Sequence, residues 1–200
     1  MAYGDGMVRF EVDEITLRDI ERRLGLMKAK APTVMKRALN DTARQARKNL
    51  ASKAQETYAV KAGGLARYAR IQTASAAKLE AILRIRGGPL PLTQKYFSVQ
   101  GGKGPKGSYM RTLVNRKKGK HTWGPRAFHN TLGKSGHKGA AEFVGGHPKQ
   151  PSRLHIKTLY TLSIPQMFGS ERYVYGVVEP HIQSDLLASV ERHIGVMLRS

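Results

Sequence analysis

Acidic residues are almost absent from the middle of the chain. Residues 81–170 contain sixteen Lys and Arg residues and one acid, Glu142, so this segment carries +15 of the net charge of +21. Residues 1–80 carry +7, and residues 171–200 carry −1. A surface this positive repels itself unless negative charge lies nearby. The segment therefore predicts a partner that is a polyanion or an acidic protein surface.

Length and composition predict one folded domain over residues 1–200. Hydrophobic residues make up 40% of the chain, which is enough for a core, and the absence of cysteine excludes disulfides, thiolate zinc sites and iron–sulfur clusters. The N-terminus lacks the apolar segment of a signal peptide, and no apolar run approaches the ~20 residues that cross a bilayer. The sequence therefore predicts a soluble protein that is made in the cytosol and does not enter a membrane.

Two N-terminal segments show the spacing of amphipathic helices. The first covers residues 16–29, with Thr16 as the expected N-cap, and belongs to an N-terminal extension of residues 1–30. The second, residues 33–57, carries an alanine-rich stripe and follows Pro32, a residue favoured in a first helical turn. We expect this long helix to fill residues 31–60, with its basic faces in solvent.

Residues 69–160 predict a small antiparallel sheet with long loops. Two prolines keep residues 89–97 from forming a central strand. Short strands are expected at residues 70–73, 79–85, 111–115, 141–144 and 154–159. Glycine-rich loops are expected at residues 101–107 and 132–139, and a basic turn at residues 116–120.

The C-terminal part predicts one helical turn at residues 164–168 and a helix over residues 171–198. Ser170 is the expected N-cap of this helix. Pro180 kinks the helix, or starts it if residues 173–178 form a strand instead. The predicted fold class is α+β, with N-terminal helices, a small antiparallel sheet with long basic loops, and a C-terminal helix.

No motif in the chain indicates catalysis. Gly102, Gly104 and Gly107 match the dinucleotide fingerprint by letter, but no apolar strand precedes them and no helix follows. The histidines recur at eight-residue spacing, which fits no common metal-ligand motif, and the carboxylates that hold nuclease metals are nearly missing from residues 81–170. The sequence predicts no enzyme activity, no cofactor and no metal site.

Basic side chains in the loops are the candidate contacts with a polyanion. They suit phosphate oxygens, which they would bind without sequence preference and with strong salt dependence. They suit an acidic protein neighbour as well, and charge alone leaves both alternatives open. These residues are Lys103, Lys106, Arg116, Lys117, Lys118 and Lys120.

Three landmarks in the chain resemble one protein family by their order and spacing. They are the basic helix ALNDTARQARKNLA ending in YAVKAGGL, the pair LPLTQKYF and GPRAFHN, and the segment PSRLHIKTLYTLSIPQMF before the C-terminal helix. Over about residues 30–198 this ordered set is similar to the minor tail protein Z family of tailed phages and prophages, also called tail completion proteins. The insertions GGKGPKG and RKKGK are longer and more charged than that pattern.

The resemblance implies a non-enzymatic virion protein at the head–tail junction or upper tail, made in the host cytoplasm. It implies a homo-oligomeric ring that contacts neighbouring neck and tail proteins, with the basic loops facing DNA if the ring encircles the exit path. The alternative function is non-specific nucleic-acid binding by the chain alone. Candidate packing or docking segments are Ala127-Phe128 and residues 164–168, which include Pro165, Met167 and Phe168.

Overall fold

The chain is α+β, as the sequence predicted, with helices near both ends and several small antiparallel sheets. The computed structural model describes residues 3–4, 6–61, 63–104, 107–123, 127–132, 137–147 and 150–199. It divides into two compact units. The first unit comprises Met1–Ala54, Ala66–Arg86 and Pro165–Ser200, and the second comprises Gln55–Leu65 and Gly87–Ile164. Each unit combines segments that are distant in the sequence. The single domain predicted from length stays a prediction.

The first unit contains a four-stranded antiparallel sheet in the order β1-β2-β4-β3. In β4 the side chains of Ala81, Leu83 and Ile85 are buried on one face, whereas on the other face Glu80 and Arg84 are partly exposed and Ile82 is buried. The hairpin between β3 and β4 confirms the predicted pair of strands, but β1 and β2 were not predicted. The strands are β1 (Tyr3–Gly4), β2 (Met7–Glu11), β3 (Ala69–Gln72) and β4 (Glu80–Ile85).

Helix α1 (Glu14–Leu24) begins earlier than predicted. Its N-cap is Asp13, whose side chain accepts a hydrogen bond from the backbone N–H of Thr16 at 2.8 Å, so the prediction of Thr16 as the cap was wrong. The carboxylate of Asp13 also complements the positive helix end, which a threonine hydroxyl does not. A 3-10 segment, Gly25–Lys30, replaces the last turns of the predicted helix.

Two long helices complete the first unit. Helix α2 (Ala31–Thr57) follows the alanine stripe closely, and its last turn belongs to the second unit. The apolar core of the first unit includes side chains from α1, α2 and the C-terminal helix α4 (Tyr175–Leu198). Its buried members are Ile20, Leu24, Ala31, Val34, Met35, Ala38, Val190 and Ile194.

The C-terminal helix begins four residues after its predicted start. Ser170 is not its N-cap: Val174 occupies that position, and residues 171–174 form turns before the helix. Pro180 lies inside α4, so it does not start the helix, and residues 173–178 form no strand. The short helix α3 (Ile164–Phe168) confirms the predicted helical turn.

Arg47 on α2 covers the outer edge of β3. Its Nε donates to the carbonyl of Ala69 at 2.8 Å, and its Nη2 donates to the carbonyl of Ala66 at 3.2 Å. β3 is the last strand of its sheet. The guanidinium group of Arg47 therefore satisfies carbonyl oxygens that no neighbouring strand pairs.

The second unit contains three small antiparallel sheets with the orders β6-β7-β8, β11-β10-β9 and β12-β5. The first holds β6 (Ser98–Gly104), β7 (Gly107–Leu113) and β8 (Lys120–Trp123). The second holds β9 (Ala127–Leu132), β10 (His137–His147) and β11 (Gln150–Thr158). The third pairs β5 (Pro89–Pro91) with β12 (Tyr160–Ser163), which confirms that the proline segment is no central strand.

The predicted glycine-rich loops are largely paired strands. Gly104 pairs with Gly107 at the end of the β6–β7 hairpin, and Leu132 pairs with His137 at the end of the β9–β10 hairpin. Residues 105–106 and 133–136 lie outside the described residues. The glycines allow close packing: a Cβ added to Gly101 would lie 3.1 Å from the Cβ of His129.

Candidate polyanion and partner interface

A basic turn, defined here as residues 116–120, connects β7 to β8 in the second unit. Arg116, Lys117 and Lys118 form the turn, and Lys120 opens β8. All four side chains are exposed. The predicted turn is confirmed at these residues.

The backbone of the basic turn is fixed by hydrogen bonds at its start. The side-chain oxygen of Asn115 accepts the N–H groups of Lys117 at 2.9 Å and Lys118 at 3.2 Å. The N–H of Arg116 donates to the carbonyl of Thr57 at 2.8 Å. Gly119 then adopts φ +74°, a conformation that residues with a Cβ rarely take. Long cationic side chains are thus presented from an ordered backbone.

The basic turn has no acidic neighbour among the residues that the structure describes. No carboxylate there lies within ion-pair distance of Arg116, Lys117, Lys118 or Lys120. Lys120 Nζ lies 3.4 Å from the amide oxygen of Gln100, a neutral group. The described part of the chain therefore leaves the positive charge of the turn without an ion-pair partner.

The side chains of two predicted contact residues, Lys103 and Lys106, are not among those that the structure describes. Lys106 lies outside the described residues, and only the backbone of Lys103, in β6, is described. The structure therefore assembles four of the six predicted basic contacts into one turn, and it leaves the other two as predictions.

The candidate docking segments are mostly buried within the chain. Ala127 is 5% exposed, and Met167 and Phe168 are fully buried. Phe128 is half-buried and stacks on Phe143 with ring centroids 4.6 Å apart, and Pro165 is half-buried. Of the two roles that the sequence left open, burial favours packing for Ala127, Met167 and Phe168.

Exposed apolar side chains on β11 and β12 were missed by the sequence analysis. Ile156 is 52% exposed, Tyr160 is 55% exposed and Leu162 is 51% exposed. The alternation of Tyr160 and Leu162 with Thr161 and Ser163 was the available signal for a one-sided apolar face. Large apolar side chains exposed on strands are typical of contact surfaces.

Metal binding and unusual burial are the points of interest among the titratable side chains of the described residues. No group of three or more His, Asp or Glu side chains there is placed to hold a metal ion. His129 is partly buried, and burial, followed by the charge of Lys138, lowers the pKa of its imidazole. Its Nε2 is buried and has no hydrogen-bond partner among those residues.

None of the described helices is long and apolar enough to span a bilayer. The chain matches no protein-family model, no curated protein and no solved structure.

Proposed function

We propose that the chain is a non-enzymatic structural protein of a phage virion, which completes the tail at the head–tail junction or upper tail by assembling into a ring. The ordered set of landmarks carries this proposal. Two of them contribute buried side chains to the second unit, so their apolar positions serve the fold. These side chains are Leu92, Phe97, Ala127, Leu159 and Ile164.

Two exposed surfaces of the second unit support an assembly role. The apolar side chains of Ile156, Tyr160 and Leu162 would be covered by a neighbouring subunit or tail protein. The basic turn would face an acidic neighbour or DNA, because its charge has no described partner within the chain.

Localisation in the particle tests the proposal directly. Purified virions of the phage that encodes the chain are labelled with a gold-conjugated antibody against it and imaged by electron microscopy. We expect label at the neck or upper tail. Absence of the chain from purified virions, or label confined to the capsid shell, would contradict the proposal.

Ring assembly has a separate test with the isolated chain. We expect Ile156→Asp combined with Leu162→Asp to shift the wild-type oligomer to monomer in light scattering after size-exclusion chromatography. Ile15→Asp is the matched control, because Ile15 is 78% exposed and lies on α1 in the first unit. Equal dissociation of both variants would show that the β11–β12 surface is not the interface.

Non-specific nucleic-acid binding is the second candidate function, favoured by the unpaired exposed cations of the basic turn. It predicts duplex binding in the micromolar range, on the order of 10⁻⁴–10⁻⁶ M, that weakens steeply with salt. Lys117→Gln with Lys118→Gln would weaken binding uniformly across sequences. No binding at low salt would dismiss this function.

A further inference from the structure

The outer face of the first unit's sheet carries four arginines around one cavity. The cavity has a volume of about 630 Å³. Arg67 and Tyr68 come from a 3-10 turn, and the remaining lining residues come from β3, β4 and the residue after β4. We call this surface the arginine pocket, and its lining residues are Arg67, Tyr68, Arg70, Gln72, Arg84 and Arg86.

Strand register brings the charges together. Arg70 on β3 pairs directly with Arg84 on β4, so the two side chains lie on the same face of the sheet. Like charges at directly opposed positions destabilise a sheet. Arg86 lies two residues beyond Arg84, and its backbone N–H donates to the carbonyl of Tyr68 at 3.0 Å. That bond holds the turn carrying Arg67 beside the pair.

The acidic residues of the same sheet face, Glu80 and Glu11, form their ion pairs outside the pocket. The hydrogen bond with Lys78 lowers the pKa of Glu80 most, and the charges of Lys78, Arg9 and the pocket residue Arg84 lower it further. Glu80 lies 2.6 Å from Lys78 and 3.4 Å from Arg9, and Glu11 lies 3.5 Å from Arg9. Among the described residues, no carboxylate lies within ion-pair distance of the four pocket arginines. One end of the face is therefore charge-balanced and the other is not.

One guanidinium group in the pocket is incompletely satisfied. The Nε of Arg84 is buried and has no hydrogen-bond partner in the described part of the chain. A buried N–H without an acceptor is costly, and guanidinium groups bind anionic oxygens through pairs of N–H donors. Arg67 is partly engaged, since its Nη2 lies 2.7 Å from the hydroxyl of Tyr68 and its guanidinium lies 4.7 Å from that ring.

We propose that the arginine pocket binds phosphate groups of a nucleic-acid backbone. Among the described residues, four arginines and no lysine line the cavity, and arginine forks match the oxygens of phosphate. Duplex DNA carries one charge per ~1.7 Å of its axis, whereas same-face carboxylates on an extended peptide recur only every ~6.6 Å. The closely spaced arginines therefore suit duplex DNA better than an acidic peptide.

This inference goes beyond the proposed function. It assigns contact with nucleic acid to the first unit's sheet, whereas the sequence pointed to the basic turn. It holds for the purified chain whether or not that chain assembles in a virion. An acidic protein segment is the rival occupant and is distinguished below.

The test measures binding of a fluorescein-labelled 20-base-pair duplex by anisotropy across a series of salt concentrations. The test variant is Arg70→Gln with Arg86→Gln, two exposed positions. The matched control is Arg18→Gln with Arg22→Gln, which removes the same charge from α1 in the same unit, where both arginines already pair with acids. Lys117→Gln with Lys118→Gln reports on the basic turn, and unlabelled polyglutamate serves as the acidic competitor.

We expect the pocket variant to bind the duplex about tenfold more weakly near 0.1 M salt and to lower the salt slope by about two, one for each phosphate that an arginine no longer binds. We expect the control to change affinity less than about twofold. The melting temperature of the pocket variant should stay level or rise, because the variant removes like-charge repulsion. An arginine with a merely structural role would lower it.

Three results would overturn the inference. They are the absence of duplex binding by the wild type at low salt, equal decreases in affinity for the pocket and control variants, and a decrease confined to the basic-turn variant. Displacement of the duplex by polyglutamate at equal charge concentration would assign the pocket to an acidic protein instead. Virion labelling at the neck is unaffected by any of these results, so the two proposals fail separately.

Discussion

The carboxylate of Asp41 on α2 lies 2.9 Å from Nε2 of His193 on α4, although 152 residues separate them. The same carboxylate accepts hydrogen bonds from Arg192 at 2.6 Å and from Arg44 at 2.8 Å. The side chain of Asp41 is 32% exposed and that of His193 is 16% exposed. One partly buried acid therefore joins the long helix to the C-terminal helix within the first unit.

Stability should depend on the charge of Asp41. Burial raises the pKa of Asp41, but the hydrogen bond from His193 and the charges of His193, Arg192 and Arg44 hold it below its ordinary value of 3.8. A depressed pKa in the folded state contributes stability at neutral pH that is lost as pH falls through the folded pKa. We expect Asp41→Asn to lower the free energy of unfolding by about 1 kcal/mol at neutral pH after screening.

Urea unfolding at a series of pH values measures this contribution. The difference between wild type and Asp41→Asn should shrink as pH falls below 3.8, because protonation of the wild type removes the same charge. Asp185→Asn, also in the first unit, is the control and should be nearly neutral. A difference in unfolding free energy that does not change with pH would show that the charge of Asp41 is not its cause.

Asn40 should be intolerant of substitution. Its amide Nδ2 donates to the carbonyl of Ala74 at 3.2 Å, and its Oδ1 accepts the N–H of Ala74 at 2.8 Å. Both residues are buried, so Asn40→Ala leaves two backbone groups without partners. We expect a loss of about 2–3 kcal/mol in chemical denaturation. Asn40→Asp keeps only the acceptor and should also destabilise; an unchanged midpoint for the alanine variant would contradict this prediction.

Alanine substitutions at Gly6 and Gly119 distinguish the cost of backbone strain from the cost of a steric collision. Their φ angles are +73° and +74°, but a Cβ on Gly6 would lie 2.5 Å from the carbonyl oxygen of Ile85, whereas a Cβ on Gly119 would meet nothing within 4 Å. Gly119→Ala should cost about 1–2 kcal/mol from strain alone. Gly6→Ala should cost more, because the β2–β4 contact must also move. Equal destabilisation in thermal unfolding would rule out the collision.

Asn115 should control the order of the basic turn. Asn115→Ala removes the acceptor for the N–H groups of Lys117 and Lys118, while Asn115→Asp keeps it. The loss of about 1 kcal/mol corresponds to roughly fivefold faster amide exchange at these two positions. Hydrogen exchange measured by NMR tests this. Faster exchange in the aspartate variant, at the same level as in the alanine variant, would show that the acceptor is not what orders the turn.

Helix α2 was the element most accurately predicted, because the spacing of its alanine-rich stripe fits a helix and not a strand. Ala43, Ala46, Leu50 and Ala54 recur at intervals of three and four residues and are all buried, as a period of 3.6 requires. Helix starts were less predictable. Asp13 and Thr16 are both good caps one turn apart, and only the tertiary position of the preceding strand decides between them.

The short strands were predictable only in part. In β2 the buried residues Val8 and Phe10 alternate with the exposed residues Arg9 and Glu11. This alternation is visible in the sequence, but it is too short to predict a strand. In the hairpins of the second unit, glycine was interpreted as a loop residue by propensity. At Gly101 the lack of a side chain instead permits contact with His129, a relationship between distant residues.

The basic turn and the arginine pocket also differ in how far the sequence predicts them. The basic turn is contiguous in sequence, so composition alone locates it. The arginine pocket depends on the register that opposes Arg70 and Arg84, which no local pattern reveals. The alternation of basic residues on β4 and the partner strand β3 were both predicted, but the register that places Arg70 opposite Arg84 was not.

The contact between Arg47 and β3 also limits how the chain can polymerise. A foreign strand could add beside Ala69 only by displacing a guanidinium group whose hydrogen bonds are already made. At the opposite edge of the sheet, β1 has only two residues, Tyr3–Gly4, and offers little template. One side chain on a helix thus helps protect this sheet from edge-to-edge fibre growth.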